Sequence, residues 1–132
     1  MAKTFYYDSV GLLEATINDG TFSGSSWSDS ASMTNEGRLV DQSIATAVSD
    51  FNNADALKIT FPSAKTVDFL AVYFSATETD NLSLYREDTP NTYTAVKGLT
   101  STFSAGWTVG EFASGSATNW HLASTSGDIA NF

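Results

Sequence analysis

The sequence contains no cysteine. No disulfide can staple the chain, which argues against dependence on an oxidising compartment. Charge is also scarce: Asp, Glu, Lys and Arg make up 16% of the residues, where about 25% is usual. The shortage falls hardest on positive charge. Only Lys3, Arg38, Lys58, Lys65, Arg86 and Lys97 are basic, and they are scattered among 15 acidic residues, for a net charge of −9 and a pI near 4.1. Nucleic-acid binding rests on Lys and Arg neutralising phosphates, so nucleic acid is excluded as a partner, and an anionic membrane surface with it. No apolar run approaches the length of a membrane span. The first residues, MAKTFYYDSVGLLEATIND, lack the apolar stretch of a signal peptide, and the chain is expected to be made and folded as a soluble protein from its own Met. There is one histidine, no G-x-S-x-G, no Gly-rich phosphate loop, and no Cys/His cluster for zinc.

What is present is strand-forming. Hydrophobic residues reach 42% and aromatics 13% of 132 residues, enough for one domain spanning 1–132 and burying roughly two-thirds of its unfolded surface. Thr, Val, Phe, Tyr and Trp are plentiful, and good helix formers are few. Candidate strands at 4–7, 12–17, 25–28, 46–48, 55–61, 67–74, 82–86, 93–96, 107–112 and 119–123 are separated by turn clusters such as Asn18-Asp19-Gly20, Pro62-Ser63 and Asp88–Asn91. That spacing predicts an antiparallel sandwich or barrel. The run DALKITF alternates, with Leu57, Ile59 and Phe61 on one face. VDFLAVYF is apolar almost throughout, so it is buried on both faces or its outer face meets a partner. Leu57, Ile59, Phe61, Leu70, Val72, Phe74, Leu82 and Leu84 form the expected core.

Residues 39 to 96 carry a family pattern. Leu39-Val40-Asp41 stands at a polar turn, with Thr46 after it. An amphipathic strand follows at Leu57–Phe61, then Lys65-Thr66-Val67-Asp68, the aliphatic run 69–73, Asn81 to Tyr85, Glu87-Asp88, Tyr93 and Val96. In this the chain resembles the discoidin-like, or coagulation factor type C, jelly-roll domains of the galactose-binding-like superfamily. The resemblance implies an eight-stranded antiparallel β-sandwich of jelly-roll type. It departs from the family at Asp41-Gln42, where an Asp-Gly turn is usual, and at Val48, where a Trp is usual; the family's closing strand with its Glu would lie beyond residues 128–132. Members with a structural calcium use that Asp, that Thr and the late Glu. Asp41 and Thr46 supply only two of the six to eight oxygens calcium takes, so no metal and no cofactor are expected.

His121 alternates with Trp120 and Leu122 and is expected on a strand surface, without catalytic role. Glu87 and Asp88 are adjacent in a hairpin turn and are expected to be solvated, which does not suit the paired carboxylates of glycosidases. The aromatics are more open. Trp27 lies in SGSSWSDS and Trp107 in SAGWTVG; each suits a core residue, an interface anchor or a sugar-stacking ring. At the ends, Phe5, Tyr6 and Tyr7 cannot all be buried by one sheet face, and Ile129 and Phe132 close the chain on apolar residues. These five are the expected interface residues, covered by other virion proteins or by copies of the chain itself. The composition thus suggests a non-catalytic structural module, oligomeric in assembly, on a phage virion or other extracellular particle. The alternative is a carbohydrate-binding module that recognises cell-surface glycans.

Overall fold

The computed structural model describes residues 15–23, 26–29, 55–99 and 102–127. Within them the chain is all β, with no helix: β1 (Thr16–Phe22), β2 (Trp27–Asp29), β3 (Asp55–Phe74), β4 (Leu82–Thr89), β5 (Thr92–Leu99) and β6 (Gly106–Ser124). All pairings are antiparallel, in the order β2-β1-β3-β6-β4-β5.

β3 and β6 are long, at 20 and 19 residues. A straight strand would hold Leu57 and Phe74 roughly 56 Å apart, at about 3.3 Å per residue. Both nevertheless belong to one hydrophobic cluster with Val72, Leu82, Leu99, Phe103 and Leu122. The ladder between β3 and β6 must therefore fold over, and its register breaks show where. Thr60 pairs with Asn119 and Lys65 with Ala117, so residues 61–64 face Thr118 alone; Val67 pairs with Gly115 and Phe69 with Glu111, so Asp68 faces residues 112–114. Extra residues on one strand and then on the other bend the ladder, as bulges do. Pro62, exposed in the first break, sits where its missing N–H removes no ladder bond. The turn expected at Pro62-Ser63 is thus a bulge inside one strand. The expected strands 55–61 and 67–74 are the two arms of β3, and 107–112 and 119–123 are the two arms of β6.

One further expectation shifts. Asn18-Asp19-Gly20 is not a turn but mid-strand, paired with Lys58, Leu57 and Ala56; cross-strand packing outweighs local turn preference. The expected strands 4–7 and 46–48 lie outside the described residues. The hairpin at Asp88–Asn91 is present: Thr89 pairs with Thr92, and Asn91 takes the left-handed φ of 62° that Asn tolerates better than most residues.

The core clusters confirm the alternation. Leu57, Phe61, Val72, Phe74, Leu82 and Leu84 are buried, while Ile59 and Leu70 are half-buried and pack against the clusters. Phe61 shares its cluster with Leu84, Ala117 and Trp120, whose indole N–H donates to the Ala117 carbonyl at 3.2 Å. Phe74 stacks on Phe103 at 5.1 Å, and Phe103 is tied back by paired backbone bonds with Glu78 of 2.9 and 2.7 Å. Truncating Phe61 to Ala should cost about 3–5 kcal/mol. Urea unfolding of Phe61→Ala checks this; an unchanged midpoint would show that the first arm of β3 does not line the core.

Candidate functional site

Alternation along FLAVYF sends Leu70, Val72 and Phe74 inward, so Phe69, Ala71 and Tyr73 face out. Register places them opposite Glu111, Val109 and Trp107 in turn, without a break. The outward face of this arm therefore carries a row of apolar side chains. Trp107 is 54% exposed, Phe69 44% and Val109 37%. Tyr73 and Trp107 meet edge to face, with ring centroids 5.4 Å apart and planes at 69°. Gly106, at the start of β6, takes a φ of 113°, a conformation that side chains rarely adopt, and Trp107 follows it directly. The apolar run 67–74 is thus buried on one face only, and its other face is open.

The second aromatic group lies on the outward face of the other arm, and it is sealed. His121 has no solvent exposure. It stacks on Phe22 at 4.9 Å and meets Trp27 at 5.2 Å and Tyr93 at 5.0 Å. Phe22 in turn packs edge to face with Tyr85 and Tyr93, both at 4.8 Å. Trp27 reaches this cluster across Gly20: a Cβ there would lie 2.6 Å from the indole, so only glycine permits the crossing. His121 was expected on the surface. The correction has a simple cause: β1 and β2 bring Phe22 and Trp27, and β5 brings Tyr93, over a face that β6 alone would leave open.

Glu87 is also less solvated than expected. Its Oε1 accepts the backbone N–H of Asn91 at 3.1 Å, and its Oε2 points toward His121 Nε2 at 3.9 Å. That is too long for a hydrogen bond, and Oε2 and both imidazole nitrogens have no hydrogen-bond partner. Burial pulls the His121 imidazole down from its ordinary 6.5 to about 4; Glu87 pulls the other way, and Lys58 adds to the drop. Asp88 is the solvated member of the pair. Its carboxyl is held below the usual range by a hydrogen bond from Thr94 and by Arg86. A neutral, sealed histidine cannot reach a substrate, so this cluster serves packing: it fastens β1 and β2 to the central strands.

Of the expected site residues, the structure places two. Trp107 is exposed on the open row, and Trp27 is half-buried in the sealed cluster. Phe5, Tyr6, Tyr7, Ile129 and Phe132 lie outside the described residues, as do Asp41 and Thr46. Among the described residues, no group of three or more His, Asp or Glu side chains is placed to hold a metal. Phe69, Tyr73 and Val109 were not singled out by the sequence, although the nearly continuous apolar run at 67–74 was a signal for Phe69 and Tyr73.

No protein-family model and no curated protein sequence matches the chain. Solved structures do. Chitosan-binding module 2 from a chitosanase/glucanase of Paenibacillus sp. IK-5, in complex with chitotriose, superposes with a TM-score of 0.63 at 18% identity, over 91% of this chain and 90% of that one. The CpGH89CBM32-5 module of Clostridium perfringens, in complex with GalNAc-β-1,3-galactose, gives 0.62 at 9% identity, over 89% and 88%. The family 32 carbohydrate-binding module of Streptococcus pneumoniae EndoD gives 0.61 at 17% identity, over 89% and 86%. The fold is a jelly-roll β-sandwich. It is the discoidin-like fold of these modules, as the resemblance over residues 39 to 96 implies. At these identities the likeness is one of fold.

The sealed cluster makes stability depend on pH. His121 binds its proton near 6.5 when unfolded and near 4 when folded. Between those values the unfolded chain holds more protons, so stability is full above pH 6.5 and is lost as pH falls toward 4. The loss from this group reaches roughly 3 kcal/mol. Comparing wild type with His121→Gln removes the contribution of the carboxylates, which titrate in both. The wild type should lose that much more stability between pH 7 and 4; parallel curves would show that His121 is not held neutral.

Proposed function

We propose that the chain is a non-catalytic carbohydrate-binding module whose sugar-stacking surface is the open row on β3 and β6, centred on Trp107 and Tyr73. The observation that carries the reading is Trp107 itself: a ring 54% exposed, standing edge-on to Tyr73 on a sheet face where Phe69 and Val109 are also uncovered. An aromatic ring has a negative face, which suits the weakly positive C–H bonds on the flat side of a pyranose. The structural neighbours are carbohydrate-binding modules, one of them seen in a chain that also holds an alginate lyase domain, and this likeness supports the same reading. The sealed, neutral state of His121 supports a binding role over catalysis. The virion assembly role, by contrast, draws on composition and on terminal residues outside the described ones, and neither the aromatic row nor the structural neighbours lend it support.

Glycan-array screening followed by titration calorimetry tests the proposal. Stacking of a flat ring on an aromatic side chain is worth about 1–3 kcal/mol for nucleobases. A gain of that size on Trp107 predicts that Trp107→Ala weakens binding about five- to 150-fold. The exposed site should leave stability within about 0.5 kcal/mol of wild type. A wild-type chain that binds no glycan on a broad array would overturn the reading.

A further inference from the structure

From the shape and charge of the open row, we infer that its ligand is an internal stretch of a linear polysaccharide without negative charge, lying along β3 and β6. The inference rests on the glycan-binding reading above and specifies its ligand. The row has three rungs in unbroken register: Tyr73 with Trp107, Ala71 with Val109, and Phe69 with Glu111. Successive outward residues are about 6.6 Å apart along a strand, so the rungs span about 13 Å. Each rung contributes one of the three exposed large apolar side chains, Trp107, Val109 and Phe69. A surface that recognised one terminal sugar would need one ring and a wall. This one repeats its apolar contact along a line longer than one sugar.

The pairing pattern leaves both sides of the line without a neighbouring strand. β1 pairs with β3 only at residues 55–60, and β4 pairs with β6 only at residues 120–124. Among the described residues, no third strand flanks the stretch 69–74 with 106–111. A chain laid along the row from Trp107 to Phe69 therefore meets no flanking strand of the described residues. The charge then narrows its chemistry. Glu111 is the only Asp, Glu, Lys, Arg or His among the six residues of the row, and the chain as a whole carries −9. A like-charged polymer is repelled from such a surface, whereas an uncharged or amine-bearing one is not.

Calorimetry on the full chain with three size series, each from the single sugar to the hexasaccharide, tests this: glucose oligomers (neutral), glucosamine oligomers (cationic) and uronate oligomers (anionic). Affinity for the neutral or the cationic series should climb with length and level off once the oligomer spans the row. The uronates should not bind. Binding that weakens with added salt in the glucosamine series identifies amine recognition by the acidic surface; salt-independent binding in the glucose series identifies apolar stacking alone. Phe69→Ala, an exposed substitution at the far rung, should cost about tenfold for the hexasaccharide and leave the disaccharide unchanged, while Trp107→Ala weakens both. If the single sugar binds as tightly as the hexasaccharide, if Phe69→Ala leaves the long oligomers unaffected, or if uronates bind best, the inference falls while glycan binding stands. If nothing binds in these series or on the broad array, the underlying reading falls with it.

Discussion

The paired bends in β3 and β6 are the constraint on which the remaining features depend. Residues 61–64 are extra on β3 and residues 112–114 are extra on β6. Together they let two strands serve two walls, so that Leu57 and Leu122 from one arm meet Val72 and Phe74 from the other in one core. The same bends divide the outward face in two. One half bears His121 and the other bears Trp107, and the two halves meet different fates.

That difference comes from what lies on top. Both halves present aromatic side chains outward, in a sheet whose inward positions are already filled. Over the first half, β1 and β2 supply Phe22 and Trp27 and the β4–β5 hairpin supplies Tyr93, and the histidine beneath loses its solvent and its charge. Over the second half the described residues supply no such cover. A sealed cluster can only hold elements together, whereas an open row of the same residue types can bind. Exposure in this sheet follows from coverage rather than from composition.

Much of the fold was legible in the sequence because alternation is a local signal. Leu57 and Phe61, Val72 and Phe74, and Leu82 and Leu84 were identified as core residues from spacing alone. Pro62-Ser63 was misread because the residues that make turns also make bulges; only the cross-strand register tells them apart, and register is a property of two segments. Asn18-Asp19-Gly20 was misread for a related reason, since Gly20 is needed for the passage of Trp27 over the strand and not for a chain reversal. His121 was misplaced because its cover comes from distant segments: Phe22 and Trp27 from near the start of the chain, and Tyr93 from β5. The open row was half legible. Trp107 stood out, but its partner Tyr73 lies far away in sequence, and nothing local distinguished Trp107 from Trp27 as the exposed one.

The three tryptophans have a spectroscopic consequence. Trp120 is in the core, Trp27 is half-buried against the histidine, and Trp107 stands in solvent. With no other tryptophan in the chain, its intrinsic emission is the sum of three signals from three distinct regions. Trp120, in the core, should emit at shorter wavelength and report on the integrity of the sandwich. Trp27, against His121, should be quenched more strongly once that imidazole is protonated. Trp107, the exposed ring, should emit at longer wavelength and be reached first by a soluble quencher. The unlabelled protein is thereby its own three-channel fluorophore.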